Sequence, residues 1–500
     1  DHLERALRRT TDNLRARNLR VMVLRQLGRK DDLPAVRRLD PLDPWSRWLR
    51  NPRARLDTQT RLDLAHDLAR AGFVDEAVGV LAAPAGSDVR DLGAEPMRLY
   101  TLGWIQEARG DAAASARARR AAAAAKPDYC FPARLEDIAV LESAMRADPR
   151  DARAPYYLGN LLYDRRRHAQ AIRMWQRAAT RDRSYPTGWR NLGIGYFNIQ
   201  GRADRARAAY DAAIRAAPDD ARLWFERDQL LKRIGDAPAK RLRRLEQRLD
   251  LVARRDDLTV ELCALYNQLG RPADALRLLD ARRFQPWEGG EGQALGQYKQ
   301  ARLALGRSAR AAGDVAGAVT HFRAALDAPE NLGEAWHLLQ NQSDTHFWLG
   351  EALAAAGDRR AARRHWTLAA EFKGDFQEMS VRAYSELTYY SARAMERLGR
   401  RAAAQRLLRD LLAYAEALEK QPAKIDYFAT SLPTMLLFED DLQARQITTA
   451  RFLQAQALQG QAQCMGRTAS RLLLRRARPR LREVLRRDPS HALAATFLAG

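Results

Sequence analysis

The chain holds 500 residues, 46% of them hydrophobic and 29% charged, more than a single hydrophobic core organises. That apolar fraction, at a mean hydropathy of -0.51, excludes a disordered chain, and the longest uncharged run, 452–466, falls short of the ~20 apolar residues that a membrane helix needs. Lys and Arg outnumber Asp and Glu by 85 to 62, a formal charge of +23. Such a surplus first suggests a polyanionic partner. Only eight of the basic residues are Lys, however, and the abundance of Arg beside Ala reads as compositional bias. Neither nucleic acid nor a membrane is therefore expected as a partner, and the densest basic run, 471–487, reads as a solvated helix face.

Ala, Leu, Arg and Glu recur at a spacing of 3 to 4 from end to end, while Val, Ile and Thr alternations are scarce, so an all-α fold is predicted. Residues 1–150 read as divergent helical repeats, marked by Leu102-Gly103, Ala122, Pro127 and a helix ending at Asp148-Pro149. Residues 151–280 are regular repeats with a helical extension. There Pro155-Tyr-Tyr-Leu-Gly159 aligns with Trp189-Arg-Asn-Leu-Gly193, and the two glycines stand 34 residues apart, the tetratricopeptide period. Gly159 is followed by Ala171, Trp175 and Ala178; Gly193, after one inserted residue, by Ala206, Tyr210 and Ala213. Small residues at 159 and 171 let two antiparallel helices approach, a large ring at 175 fills the wedge, and Ala178 admits the next repeat.

Residues 281–440 carry further copies with irregular loop insertions: Leu305-Gly306 with Ala318, Phe322 and Ala325, Leu349-Gly350 with Ala362, Trp366 and Ala369, and Leu398-Gly399 with Ala403. Residues 441–500 form C-terminal helices, one of them closed by Asp488-Pro489. The predicted fold is an α-solenoid of tetratricopeptide-like hairpins forming a right-handed superhelix with a concave groove.

Three places could carry chemistry. The segment Phe284-Gln-Pro-Trp287-Glu288-Gly-Gly-Glu291-Gly292 breaks the helical pattern and groups an indole with two carboxylates, a set suited to sugar rings and hydroxyls, or to a general acid and base. Phe438-Glu439-Asp440-Asp441 offers further acids, although Asp440 and Asp441 also stand where a following helix wants its N-cap. The first helix of each hairpin would line the groove, presenting Arg153, Tyr156, Asn160, Tyr163 and Asp164 from one repeat and Arg190, Ile194, Phe197 and Asn198 from the next. Asn160, Asn191 and Arg222 resemble three members of a chaperone-type carboxylate clamp. Tyr156 and Glu226 depart from the other two, and no such clamp is expected.

Cys130, Cys263 and Cys464 are far apart and form no CxxC pair, and the histidines lack metal-ligand spacing, so no metal and no cofactor are expected. Neither GxSxG nor a Cys beside a His marks a nucleophile. Position 1 is Asp in helical pattern, consistent with a preceding domain or leader outside the sequence, and a cytoplasmic location is expected.

Beyond the repeat, three phrases resemble one bacterial family: Pro155-Tyr-Tyr-Leu-Gly-Asn-Leu-Leu-Tyr163-Asp164, the 286–292 loop, and Phe428-Ala-Thr-Ser-Leu-Pro-Thr-Met-Leu-Leu-Phe-Glu-Asp-Asp441. Members of that family join an N-terminal domain similar to the galactose-mutarotase β-sandwich to a tetratricopeptide region, which this chain resembles. The resemblance implies a sugar-related setting. Two functions follow as expectations. The first is a binding scaffold whose concave face, through Tyr156, Asn160, Tyr163, Arg190, Asn191 and Trp287, holds a protein partner, the sandwich domain or a carbohydrate. The second is a carbohydrate-active enzyme using Glu288 or Glu291 as acid and Asp440 or Asp441 as base, which requires facing carboxylates about 5 to 10 Å apart.

Overall fold

The computed structural model describes residues 2–11, 13–29, 40–52, 56–82, 93–287, 289–372, 374–377, 380–424 and 437–499. They are helical almost throughout, and the chain divides into two compact units at Gln200/Gly201.

The first unit contains α1 (His2–Arg9), α2 (Leu14–Gln26), α3 (Pro44–Arg50), α4 (Thr58–Arg70), α5 (Val74–Ala82), α6 (Glu95–Ala108), α7 (Ala112–Ala124), α8 (Glu136–Ala147), α9 (Arg153–Asp164), α10 (His168–Arg181) and α11 (Pro186–Asn198). Successive helices pack as antiparallel neighbours, α6 on α7 and α9 on α10 most extensively. The core runs through Leu68, Leu81, Tyr100, Leu141, Tyr157, Leu161 and Trp175, all buried.

The second unit opens with α12 (Ala203–Ala216), α13 (Ala221–Arg233), α14 (Pro238–Glu246), α15 (Leu249–Val252), α16 (Asp256–Gln268) and α17 (Pro272–Asp280). It continues with α18 (Gln293–Ala311), α19 (Val315–Ala324), α20 (Ser343–Ala355) and α21 (Arg359–Glu371). The helical pattern did not predict the next element, an antiparallel hairpin of β1 (Asp375–Gln377) and β2 (Ser380–Arg382) with Phe376 paired to Val381. Then follow α22 (Thr388–Arg397), α23 (Arg401–Lys420), α24 (Leu442–Gln463), α25 (Arg467–Arg487) and α26 (Ala492–Ala499).

The repeat geometry is the one the spacing predicts. A Cβ built on Gly159 would lie 2.4 Å from Trp175 Cδ1, one on Gly306 2.5 Å from Phe322 Cε1, and one on Gly350 2.5 Å from Trp366 Nε1. Each contact spans 16 positions in the chain. The same offset joins Gly103 to the Cγ of Arg119, at 2.9 Å, so the divergent region keeps the arrangement with an aliphatic stem in place of the ring. Between paired helices a Gly-Asp dipeptide recurs. Gly110, Gly313 and Gly357 have φ of 84°, 83° and 85°, and Asp111, Asp314 and Asp358 each accept a backbone N–H three residues on. The glycine ends one helix in a left-handed turn and the carboxylate caps the next.

Gly399 is a correction. Read as a helix-packing glycine, it lies instead in the turn between α22 and α23 with φ 77°. Both roles place a glycine beside Leu within an Ala-rich pattern, and only the distance to the next ring tells them apart.

Within the second unit the end of the chain returns to its first helices. Phe438 is buried against Tyr210 of α12, ring centroids 5.8 Å apart, and Asp440 lies 3.8 Å from Arg233 of α13. The backbone oxygen of Pro489 accepts from Gln268 Nε2 at 2.6 Å, and Ser490 Oγ from Arg241 Nη1 at 3.3 Å. Arg241 itself is fully buried and bonds Asp228 and Glu261.

Candidate functional site

In the first unit α9 and α11 bring the groove residues of the two regular repeats together. Asn160 Oδ1 accepts from Trp175 Nε1 and from Asn191 Nδ2, each at 3.0 Å. The first bond ties the two helices of one hairpin, and the second links that hairpin to the first helix of the next. Arg190 Nη1 donates to Asn191 Oδ1 at 3.4 Å. Tyr163 stacks on His168 at 4.7 Å and leans on Trp175 at 5.1 Å. Asn160, Tyr163, Arg190 and Asn191 are all partly exposed, so they form one polar strip along neighbouring first helices. The amide nitrogen of Asn160 carries no hydrogen bond among the described residues.

Tyr156 does not join that surface. It is 6% exposed and packs edge-on against Tyr157 and Tyr185, with centroids 5.3 and 5.0 Å apart. Arg153 covers the other side of this cluster, lying 3.9 Å from the Tyr185 ring and paired with Asp182 at 3.2 Å. The helical spacing that aligns Tyr156 with Asn160 also lets a ring at 185, from the turn before α11, close over it. Glu226 is likewise engaged, accepting from Tyr210 and Arg222.

The irregular loops of the second unit meet one another. Phe284 N donates to Asn331 O, and Asn331 Nδ2 donates to the oxygens of Leu279 and Arg282. Trp287 packs against the core around Tyr298 and Leu332 with its indole against Gly290, whose added Cβ would fall 1.8 Å from the ring. Glu291 accepts from Gly289 N, while Gly292 N donates to Glu334 Oε1 at 2.7 Å. Burial raises the Glu334 carboxyl above the usual range, and the neighbouring Glu291 adds to the rise. Two carboxylates therefore share this loop pair, one of them not foreseen from spacing alone. Glu288 lies outside the described residues.

Asp440 and Asp441 have other surroundings. Asp441 caps α24 by accepting from Ala444 N at 2.9 Å, and Asp440 sits between Arg233 and Arg445, at 3.8 and 3.6 Å. Among the described residues neither carboxylate has a partner in common with Glu291, and both have structural employment.

A further polar node went unread in the sequence. Lys299 of α18 pairs with Asp344 of α20 at 2.7 Å. Asp375 Oδ1 accepts from Asn341 N, Asn341 Nδ2 donates to Gly374 O, and Ser343 bonds Ser391. Glu386 is raised by burial and then by Asp375 and Asp344. His346 and His365 place their Nδ1 atoms 3.1 Å apart. The one available signal was the 44-residue interval between Gly306 and Gly350, ten beyond the repeat period; Asn341, just before α20, lies in that extra chain, while Lys299, Asp375, Glu386 and Ser391 come from outside the interval. Among the described residues no group of three or more His, Cys, Asp or Glu is disposed to hold a metal, and the three cysteines are free and buried.

Residues 138–193 and 199–233 match the family model described as tetratricopeptide repeat. This part of the chain is a tetratricopeptide repeat region. Solved structures similar to the chain include a tetratricopeptide repeat protein from Parabacteroides merdae, 14% identical, covering 59% of this chain and 98% of that one at a TM-score of 0.25. Another is YrrB, described as a tetratricopeptide protein with an unusual peptide-binding site, 16% identical over 46% of this chain and 91% of that one, TM-score 0.19. A third is MamA from Desulfovibrio magneticus, 16% identical over 41% of this chain and 99% of that one, TM-score 0.24. The polar strip on α9 and α11 lies inside the matched tetratricopeptide segments.

Proposed function

We propose that the chain is a protein-binding scaffold that takes an extended polypeptide segment along the first helices of its regular repeats. Asn160, Asn191 and Arg190 would supply the polar contacts and Tyr163 an amphipathic wall. The observation that carries this reading is the bond from Asn191 to Asn160. It fixes two partly exposed side-chain amides side by side on successive first helices, where they can meet the alternating N–H and C=O groups of a bound chain. Arg190, beside them, favours a carboxylate on that segment. Panning a random peptide library on the full chain and titrating the recovered peptides calorimetrically tests the reading. Binding that weakens at least roughly tenfold in Arg190→Ala and Asn191→Ala supports it. Recovered peptides that bind both variants as well as the parent chain refute it.

The carbohydrate reading stands as a second proposal on one observation: the loop pair 284–292 and 330–334 gathers Trp287, Glu291 and Glu334. An indole with carboxylate acceptors is a suitable set for a sugar ring. A glycan array probed with the full chain and with Trp287→Ala decides it. A glycan retained by the former and lost by the latter supports this proposal; no retained glycan dismisses it.

A further inference from the structure

Helix α25 carries nine arginines against one carboxylate, Glu483. Its inner face, Ala477, Leu481 and Val484, packs against Phe452, Ala455 and Leu458 of α24 and against Ala494 of α26. Two of the arginines are engaged: Arg480 donates to Gln454 Oε1 and Arg476 O, and Arg487 pairs with Glu483. Arg476 is exposed and lies outside the sector that the remaining six occupy. Arg467, Arg471, Arg475, Arg478, Arg482 and Arg486 are exposed and, among the described residues, make no ion pair and no side-chain hydrogen bond. Their intervals are 4, 4, 3, 4 and 4, which at 100° per residue confines all six to a sector of about 100°. From Arg471 to Arg486 the stripe runs about 22 Å at a rise of ~1.5 Å per residue.

We infer that this stripe is a docking surface for the phosphate backbone of a nucleic acid. This goes against the expectation from composition, and independent observations carry it. Six of the nine arginines of α25 collect on one face, whereas compositional bias alone would scatter them around the helix. Most apolar side chains of the helix are used on α24 and α26; only Leu472, 63% exposed, and the half-buried Leu474 stand outside that cluster. An acidic partner helix would gain only solvated surface ion pairs, which are weak, and little else. A membrane would find no apolar face to take up. A nucleic acid differs from both, since it carries a charge every ~1.7 Å of duplex axis and releases condensed counterions on neutralisation. The planar fork of each guanidinium suits a phosphate. Contacts to phosphate alone bring no sequence preference.

The test uses the full chain, a fluorescein-labelled mixed-sequence RNA and a DNA duplex, with anisotropy followed against NaCl concentration. Four stripe arginines are replaced in one variant, Arg471→Gln, Arg475→Gln, Arg478→Gln and Arg482→Gln, which keeps helix propensity nearly constant. A charge-matched control replaces the exposed Arg359, Arg360, Arg363 and Arg364 of α21 by Gln. Binding that weakens at least roughly tenfold in the α25 variant only, with the salt slope reduced by about one per arginine removed, supports the assignment. Absence of nucleic-acid binding, equal loss in both variants, or stronger binding to poly-L-glutamate or to phosphatidylserine vesicles overturns it.

Discussion

Gly159 and Trp175 meet so closely that a Cβ on the glycine would lie 2.4 Å from the indole Cδ1. Helix-to-helix distance in the hairpin of α9 and α10 is set by that contact, and Gly159→Ala must push the two helices apart or force the ring off its rotamer. A loss of about 1 to 3 kcal/mol is expected, read as a lower urea midpoint. Gly296, in the interior of α18 with nothing within 4 Å of an added Cβ, provides the contrast. Gly296→Ala should stabilise by roughly 0.5 to 1 kcal/mol, because it only reduces backbone freedom in the unfolded chain.

Buried Arg241 should be the costliest single polar residue to remove from the second unit. Burial alone would raise Glu261, yet Lys232 and Arg241 together hold it down to about 2. Arg241→Ala would strand Glu261 and Asp228 without their shared cation, at a cost of about 3 to 5 kcal/mol. Ser490→Ala, which removes only the 3.3 Å bond from Arg241, should cost well under ~1 kcal/mol. Chemical denaturation of the two variants side by side checks the ranking.

His346 makes the second unit sensitive to acid. Burial first, and then the charge His365 would carry, hold His346 down to about 4, below its ordinary 6.5. Asp344 acts in the opposite sense and Lys299 in the same sense, while burial first, and then Arg364 and Arg323, lower His365. The unfolded chain thus binds the proton first as pH falls. The contribution is complete above about 6.5 and is lost as pH drops through about 4. His346→Phe keeps the stacking on Phe372 but removes the titration, so between pH 7 and 4 the wild type should lose on the order of 2 to 3 kcal/mol more than the variant. Urea midpoints at each pH give the comparison.

Asp441 separates a cap from a catalyst. Its side chain accepts from Ala444 N at the start of α24, and Asp441→Ala should cost about 1 kcal/mol. Asp441→Ser, which can still cap, should recover most of it. A catalytic carboxylate would not tolerate serine, so any hydrolytic activity on glycans that disappears in both variants would argue for the acid.

The helical class, the repeat and its packing partners were legible because one glycine and one ring 16 positions on recur at Gly159, Gly306 and Gly350, and close packing leaves few alternatives to that pair. Asn160 and Asn191 were legible as groove candidates, but not as partners of one another. Burial of Tyr156 was not, since Tyr185, which covers it, belongs to a turn whose path has no periodicity. The node of Lys299, Asp344, Asp375 and Glu386 escaped because its members come from four separate elements, one of them the unforeseen β1–β2 hairpin. Asp441 caps α24, as its place before Leu442 suggests, while the pairing of Asp440 with Arg233 and the return of Phe438 to Tyr210 depend on contacts more than 200 residues apart in the chain.

Hydrogen–deuterium exchange of the full chain, with and without a library-selected peptide, shows whether the asparagine strip of α9 and α11 receives a polypeptide. Slower exchange confined to 153–164 and 186–198, absent in Asn191→Ala, is the predicted result. Protection elsewhere in the chain, with these two helices unchanged, would contradict the claim.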